Sequence, residues 1–445
     1  MNSEILHQLG HGGARQMLRY ECEVLVVGAG PAGLAAAVEA ATSGARVLVL
    51  DDNPRPGGQI WRDGPGVRLP AAARRLRQRL EALAHVELLS SARVVAACPP
   101  HSLIVETADG GVSIGWRKLI LCTGARELFL PFPGWTLPGV TGAGGLQALI
   151  KGGVPVSGQR LVVSGSGPLL LASAATARAA GARVLRVAEQ ASHAAVARFA
   201  TGLWRWPRKV VQALRLFTPV YRAGSHVIAA LGDDRLEAVR VRSGDRINEL
   251  ACDRLACGFG LVPNTQLGEL LGCRIADGAL WVDGAQATSV PDIHAAGECT
   301  GFGGSELALV EGRIAGLAAI GEAVRAAALE AERAHWRRFA RALARAFVLT
   351  PVLRSLPAPD TLVCRCEDVP HAALAGCRDW TEAKLSSRCG MGACQGRVCG
   401  AAAAFLFGWT PPPPRPPLFP VRTETLLRMA DGASASSSQA DGDRA

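Results

Sequence analysis

The same local pattern occurs twice in this chain, and it constrains the fold more than any other feature. In each copy a short apolar run, a glycine-rich turn and an alanine-rich stretch are followed by a second apolar run. The copies lie at about residues 24–50 and 161–187. The pattern predicts a strand, a tight turn, a helix and a parallel strand. Because each copy ends with its own acidic residue, a duplicated fold is favoured over one doubly wound sheet, and we expect an α/β protein.

The first glycine turn has the spacing of a dinucleotide-binding site. Gly28 permits the tight turn, Gly30 lets a pyrophosphate approach the backbone, and Gly33 allows close packing of helix on strand. The helix N-terminus adds free N–H groups and a positive dipole. Asp51, at the end of the second strand, is placed to accept a hydrogen bond from a ribose hydroxyl. These residues predict a Rossmann-like site but do not distinguish FAD from NAD.

The second turn keeps Gly165 and Gly167 but has Leu170 where a small residue normally allows close packing of the helix. Glu189 ends its second strand and would disfavour NADP, because its carboxylate repels a 2′-phosphate. Two alternatives therefore stay open for this copy. It binds a second adenine nucleotide, or it is a scaffold that has lost its ligand. In both cases we expect two Rossmann-like domains.

Four cysteines near the C-terminus are predicted to bind a metal cluster. Cys364 and Cys366 form a C-x-C pair, and Cys394 and Cys399 form a C-x4-C pair. Four thiolates are the usual ligands of a [2Fe-2S] cluster. A structural zinc is the alternative, but zinc sites prefer C-x2-4-C pairs, and inert buried thiols are a third possibility. We favour the iron–sulfur cluster in a small helical domain.

Cys389 complicates the choice of ligands. It precedes Cys394 by the same spacing that separates Cys394 from Cys399. We prefer Cys394 and Cys399 as ligands, and we interpret Cys389 and Cys377 as buried thiols. The histidines are scattered, and none of them is singled out as a catalytic base.

Composition excludes several other classes of protein. A net charge of +10 would suit nucleic acid, but the arginines are spread along all 445 residues without a recognition motif, so nucleic-acid binding is not expected. No apolar run is long enough for a membrane helix, and residues 1–20 lack the apolar core of a secretion signal. Thirteen cysteines in such a chain fit thiols and metal ligands better than disulfides. We expect a cytoplasmic protein.

Three segments favour FAD at the first turn. Pro56–Gln59 follows Asp51, Leu121–Ala125 ends a later strand, and Ile293–Glu298 ends a distal one. Each resembles a segment at the same place in flavoproteins with two dinucleotide-binding domains. The further cofactor-binding residues that this resemblance implies are Gly58, Gln59, Thr123, Gly124, Gly297 and Glu298.

A wider set of segments carries a family resemblance that covers about residues 21–420. The segments are 123–127, 130–140, 257–264, 303–308, 311–312 and 388–399. They resemble the FAD-binding α (A) subunits of opine oxidases, of proline and D-hydroxyproline dehydrogenases, and of hydrogen cyanide synthase. The cysteine region is similar to the bacterioferritin-associated-ferredoxin type of [2Fe-2S] domain. Three residues depart from the pattern, namely Cys122, Leu170 and Cys389.

The resemblance implies a heteromeric dehydrogenase acting on CH–NH donors, cytoplasmic or peripherally associated with a membrane. A β subunit similar to D-amino-acid oxidases removes the hydride, and the present chain accepts the electrons through FAD and the cluster. A small ferredoxin-like subunit and a downstream electron acceptor are further implied partners. We rank D-hydroxyproline or a related imino acid first as substrate, opines second and glycine third. The alternatives are a stand-alone NAD(P)H-dependent flavin reductase and a ferredoxin-like binding or assembly protein.

These observations predict a division of the chain into six parts. They are an N-terminal extension (1–20), a discontinuous FAD-binding domain (21–155 and 255–325), a second nucleotide-binding-like domain (156–254), a helical linker (326–360), a [2Fe-2S] domain (361–410) and a proline-rich, disordered tail (411–445).

Overall fold

The computed structural model of the chain describes residues 17–98 and 100–429. Most of the expected N-terminal extension and the end of the tail, residues 430–445, for which disorder was expected, lie outside the described residues. The strands are β1 (Leu18–Val27), β2 (Val47–Asp51), β3 (Val86–Ser90), β4 (Arg93–Cys98), β5 (Ser102–Thr107), β6 (Gly110–Leu121), β7 (Ala125–Glu127), β8 (Val140–Gly142), β9 (Arg160–Gly165), β10 (Arg183–Glu189), β11 (Tyr221–Arg222), β12 (Ser225–Leu231), β13 (Ala238–Ser243), β14 (Arg246–Ala251), β15 (Arg254–Gly258), β16 (Leu261–Pro263), β17 (Ile275–Ala276), β18 (Ala279–Leu280), β19 (Ile293–Ala295), β20 (Leu362–Cys364) and β21 (Val369–Pro370).

The helices connect these strands and cover the sheets. They are α1 (Pro31–Ala40), α2 (Ala71–Glu81), α3 (Ala143–Lys151), α4 (Leu169–Ala179), α5 (His193–Gly202), α6 (Pro207–Leu216), α7 (Gln266–Leu270), α8 (Gly304–Ala319), α9 (Ala323–Ala327), α10 (Glu330–Ala346), α11 (Trp380–Ser387) and α12 (Cys399–Phe407). Within the described residues, no helix is both long enough and apolar enough to cross a membrane.

The first sheet has the strand order β3-β2-β1-β6-β5-β4, with β19 paired to β6. Strands β1, β2, β6 and β19 run parallel, so their carboxyl ends meet at one edge. Val24–Val27 is apolar throughout because both faces of β1 are covered. Helix α1 packs closely on α8, and a β-carbon at Gly312 or Gly316 would overlap the backbone of α1. Small residues in both helices permit this approach.

The second sheet is parallel, with the order β11-β10-β9-β15-β8, and a three-stranded antiparallel sheet, β12-β13-β14, follows β11 along the chain. The second copy of the predicted strand–turn–helix–strand unit is β9, α4 and β10 in this sheet. Each of the two repeated units thus lies in a sheet of its own.

The boundary between the two domains requires a correction. Strand β8 pairs with β15 in the second sheet, so this domain begins well before the expected residue 156 and includes α3. The chain passes between the sheets at β7 and β16, which pair with each other. The boundaries therefore lie near residues 127 and 261. The three-residue strand β8 is too short to be recognised from hydrophobic alternation.

The C-terminal region packs on both sheets. Trp135 Nε1 donates to the Leu362 carbonyl oxygen at 2.6 Å, which joins β20 to the second domain. The segment 411–422 has no regular structure, and residues 423–429 are helical. Leu418 is buried, and its N–H donates to Val95 O at 2.7 Å. Arg422 Nε donates to Glu106 at 3.1 Å. This part of the expected tail is therefore attached to β4 and β5.

Candidate functional site

The carboxyl edge of the first sheet gathers the residues expected to bind a dinucleotide. The glycine turn follows β1, Asp51 ends β2, Thr123 and Gly124 follow β6, and Gly297 and Glu298 follow β19. Because these strands are parallel neighbours, their ends form one continuous rim. Such a rim is where α/β sheets bind ligands.

Two glycines of the first turn are required by its geometry. Gly28 has φ +105°, and a β-carbon there would overlap the carbonyl of Cys122. A β-carbon at Gly33 would overlap the carbonyl of Gly28. The Gly28 N–H donates to Leu50 O at 2.7 Å, which holds the turn against β2. Any side chain at either position would separate the helix from the strand.

Gly30 has a different environment, because the space in front of it contains no side chain. A β-carbon there would be 3.9 Å from Gly58 Cα, the nearest atom. Gly58 has φ +58° and is itself a glycine of the predicted Pro56–Gln59 segment. Backbone with no side chain is what a pyrophosphate needs in order to approach the helix N-terminus. The turn therefore fits a dinucleotide.

Asp51 is fixed in place by backbone donors. Ala29 N–H donates to Oδ2 at 2.7 Å and Asn53 N–H donates to Oδ1 at 2.8 Å. Beside it, Arg62 Nη2 donates to Asn53 Oδ1 at 3.0 Å and to Gln59 Oε1 at 2.8 Å. Arg62 was not identified from the sequence. It adds a positive charge close to Asp51.

Glu298 is half-buried and makes no side-chain hydrogen bond with the residues that the structure describes. Burial raises its pKa. Because no described side chain occupies it, the carboxyl is available to a ligand hydroxyl. The adjacent Gly297 has φ +80° and donates its N–H to Glu311 Oε2 at 3.3 Å. Glu311 is buried, its pKa is raised mainly by burial, and Arg337 donates to it. Glu311 supports the turn that carries Glu298.

Thr123 and Gly124 are held by the crossing between the domains. Thr123 Oγ1 donates to Asn264 O at 2.6 Å, and Asn264 Nδ2 donates to Thr123 O at 2.9 Å. Asn264 N–H also donates to Gly124 O at 2.9 Å. The expected site residues at this strand end are thus positioned by a reciprocal contact with Asn264.

The second glycine turn reproduces the geometry of the first at its acidic residue. Gly167 N–H donates to Glu189 Oε2 at 2.7 Å, and Ala191 N–H donates to Oε1 at 2.8 Å. Burial raises the pKa of Glu189. The bulky Leu170 is accommodated because Gly258 faces it, and a β-carbon at Gly258 would be 3.2 Å from Leu170 Cδ2.

A segment of the chain itself covers this second turn. The ring of Phe347 lies 3.8 Å from the place of a β-carbon on Gly167. Ser166 Oγ donates to Phe347 O at 3.1 Å, and Gln190 Nε2 donates to Val348 O at 3.0 Å. Phe347 is also packed edge-on against Phe199, at 5.2 Å between ring centroids. The space that a pyrophosphate would need beside Gly167 is filled.

The four predicted cysteine ligands come together as two pairs. The sulfurs of Cys364 and Cys399 lie within 4.8 Å of each other, and the thiols of Cys366 and Cys394 are close enough for each to shift the pKa of the other. A [2Fe-2S] cluster needs two sulfur ligands for each iron. Each pair joins one cysteine of the C-x-C motif to one of the C-x4-C motif, so the residues present fit such a cluster.

Cys389 lies beside one of these pairs. Its sulfur and those of Cys364 and Cys399 are all within 4.8 Å of one another, and all three residues are buried. This group could hold a metal ion. The structure places Cys389 among the ligand candidates, closer than its interpretation as a separate buried thiol implied. Its position in the x4 spacing was the only sequence signal for this.

Comparison with known proteins agrees with this geometry. The family model described as pyridine nucleotide-disulphide oxidoreductase matches residues 22–327. The hydrogen cyanide synthase subunit HcnB of Pseudomonas aeruginosa is 34% identical, over 84% of this chain and 90% of that protein. The A-type subunit of opine oxidase from Rhizobium meliloti is 35% identical, over 86% and 92%. The crystal structure of L-proline dehydrogenase from P. horikoshii is similar with a TM-score of 0.67 at 18% identity, over 94% of this chain and 81% of that one. The expected α/β flavoprotein fold is confirmed.

Proposed function

Because the chain belongs to the pyridine nucleotide-disulphide oxidoreductase family and to the group that contains HcnB and the A-type opine oxidase subunits, we propose that it is the electron-accepting subunit of a heteromeric dehydrogenase. The enzyme would be a flavin-dependent oxidoreductase acting on an amine or imino acid. This chain would carry FAD and a [2Fe-2S] cluster, and a β subunit similar to D-amino-acid oxidases would carry the substrate site.

The first glycine turn would hold FAD. Gly28 and Gly30 would face the pyrophosphate, Asp51 the ribose, and Glu298 the ribityl region, with Thr123 beside it. FAD supplies acceptance of two electrons and their release one at a time. The residues of this chain orient it, since Asp51 is fixed by two backbone donors and the Glu298 turn is supported by Glu311.

The paired thiols would hold the cluster, with Cys364, Cys366, Cys394 and Cys399 as ligands. The cluster supplies one-electron transfer. Burial of Cys364 and Cys399 shields that side of the site from water, which favours retention of the metal.

The single observation that carries this proposal is the cover over the second nucleotide turn. A stand-alone reductase would draw electrons from NADH or NADPH at that turn, but Phe347 fills the space beside Gly167. Electrons must then enter from another source, and a flavin-bearing partner is the one that the relatives suggest. The same proposal includes a small ferredoxin-like subunit, one downstream electron acceptor and peripheral contact with a membrane. It also includes a cytoplasmic location. The substrates are ranked with D-hydroxyproline or a related imino acid first, opines second and glycine third.

Reconstitution tests the proposal. The chain loaded with FAD and iron is mixed with a D-amino-acid-oxidase-like subunit from the same genome, and amine-dependent reduction of an artificial acceptor is measured. We expect activity only from the mixture. Vigorous amine oxidation by this chain alone would show that it has its own substrate site, and absence of bound flavin after FAD loading would favour a binding or assembly protein.

A further inference from the structure

Two half-buried arginines lie between the first glycine-turn domain and the cysteine loop. Arg126 is in the middle of β7, and Arg397 lies between Cys394 and Cys399. Over the part of the chain that the structure describes, neither guanidinium forms an ion pair with a carboxylate. An arginine removed from water normally has an anionic partner.

Direct hydrogen bonds connect the two arginines to both predicted redox sites. Arg126 Nε donates to Arg397 O at 3.1 Å, and its Nη1 donates to Asn264 Oδ1 at 3.1 Å. Arg397 Nη1 donates to Cys394 O at 3.2 Å. Since Asn264 holds Thr123 by two hydrogen bonds, an unbroken series of contacts leads from the strand end at the flavin site to a cluster ligand.

The electrostatics of the pair are unfavourable without an anion. The pKa of Arg126 is lowered by burial first and by repulsion from Arg397 second, while Glu269 offsets part of this. The Arg397 guanidinium donates to the carbonyl oxygens of Cys394 and Leu418, which are neutral acceptors. Arg397 is also held over the Phe419 ring, 4.1 Å from its centroid, so its guanidinium is not free to turn toward water.

Another arginine of the cysteine loop, Arg388, has a carboxylate partner. Its Nε donates to Glu367 at 2.8 Å in a salt bridge. Arg365, between Cys364 and Cys366, also forms no salt bridge with a described residue, but it is exposed, so Arg126 and Arg397 are the half-buried cations beside the cysteine loop that lack a carboxylate. A cluster held by four thiolates has net negative charge, and that charge increases when the cluster takes up an electron.

We propose that Arg126 and Arg397 form a cationic bridge that stabilises the reduced cluster. The inference rests on the proposed function. In the step concerned, one electron passes from two-electron-reduced flavin to the cluster, and one ferric iron becomes ferrous. The second electron follows after an external one-electron acceptor, such as ferricyanide, has reoxidised the cluster, and the flavin protons go to solvent. Both arginines are positioning residues.

Variants of the loaded full-length chain test this role. Arg126→Met and Arg397→Met remove the charge, and Arg126→Lys retains it. Arg178→Met is the matched control, because Arg178 is also half-buried and donates to a backbone carbonyl, but lies in α4 of the second domain. The measurements are iron per chain, the cluster midpoint potential from an EPR-monitored titration, and the rate of cluster reduction after rapid reduction of the flavin.

We expect both Met variants to retain iron, to shift the midpoint potential to more negative values and to slow electron transfer by about tenfold. Arg126→Lys and Arg178→Met should keep the wild-type potential. If the wild type holds flavin and cluster but the Met variants share its potential and rate, the bridge is contradicted and the proposed function stands. If the wild-type protein binds no cluster, both the cationic bridge and the proposed function are contradicted.

The cluster-free protein provides a second readout, independent of electron transfer. Without the anion, Arg126 and Arg397 repel each other with no compensation. Arg126→Met should therefore unfold at the same temperature as wild type or higher once iron has been chelated. A clearly lower unfolding temperature would mean that Arg126 has only a structural role, and would overturn the inference.

Discussion

Phe347 packs against Gly167, the second glycine of a nucleotide-binding turn whose acidic residue is otherwise in place. The contact is reinforced by hydrogen bonds from Ser166 to Phe347 O and from Gln190 to Val348 O. Phe347 follows directly after α10, which is anchored to the first domain through the buried Arg333 and through Arg337. The cover is therefore part of the fold and not a loose loop.

NADH should neither bind to nor reduce the wild-type protein. Under anaerobic conditions we expect the flavin absorbance to stay unchanged after addition of NADH and to bleach with dithionite. Phe347→Ala removes the ring but leaves the backbone contacts, so we expect at most weak binding, with a Kd of about 1 mM or more. Bleaching of the wild-type flavin by NADH within a catalytic turnover would show that Phe347 does not close the second nucleotide turn.

The two glycines of the first turn should respond differently to alanine. Gly28→Ala forces a β-carbon into the Cys122 carbonyl at positive φ, and should cost about 3 kcal/mol or more in the free energy of unfolding. Gly30→Ala meets no atom closer than 3.9 Å, so stability should change by less than about 1 kcal/mol while FAD affinity falls about tenfold or more. Urea unfolding and flavin fluorescence measure the two effects. Equal FAD affinity in Gly30→Ala and wild type would show that FAD does not bind at this turn.

Cysteine variants should show which thiols are cluster ligands and whether Cys389 is only a neighbour of them. Cys394→Ser and Cys399→Ser should lose the visible and EPR signals of the cluster, because each removes one of four ligands. Cys389→Ala should retain two irons per chain, at a cavity cost of about 1 to 2 kcal/mol. Iron analysis and EPR distinguish these outcomes. Loss of the cluster in Cys389→Ala together with its retention in Cys394→Ser would show that Cys389 is the ligand.

His294 should make folding dependent on pH in a defined window. Burial in β19, aided by repulsion from Lys118, lowers its pKa from 6.5 to about 4. Between these two pH values the unfolded chain binds a proton at His294 and the folded chain does not. The contribution of His294 to the free energy of unfolding is therefore complete above pH 6.5 and is lost as pH falls toward 4. The difference corresponds to about 3 kcal/mol.

Urea unfolding of His294→Gln over that range isolates this effect from the titration of the carboxylates. The variant should lose about 3 kcal/mol less than wild type between pH 6.5 and 4. The exposed His193→Gln is the control and should follow wild type. Parallel pH profiles for wild type and His294→Gln would refute the assignment.

Sequence patterns were sufficient for the features that depend on neighbouring residues. The spacing of Gly28, Gly30 and Gly33 requires a strand, turn and helix in that order, and the apolar run before it fits a strand covered on both faces. In these cases the physical cause lies within a few residues of the motif.

Features that depend on tertiary contacts were not predictable in this way. Phe347 is distant in sequence from Gly167, and no local pattern marks an aromatic residue that will cover a turn. Arg126 and Arg397 are unremarkable in a chain with many arginines, and only their contacts with each other, with Asn264 and with Cys394 distinguish them. Strand β8 has three residues, so its place in the second sheet is decided by pairing with β15 and not by its own sequence.

The proposed function depends on a flavin and an iron–sulfur cluster being bound to this one chain, and anaerobic purification followed by optical and EPR spectroscopy tests this most directly. After loading with FAD and iron, we expect one flavin and two irons per chain, and a rhombic EPR signal of a reduced [2Fe-2S] cluster that appears on addition of dithionite. A colourless protein without the EPR signal, or zinc in place of iron at the four thiols, would contradict the proposed function.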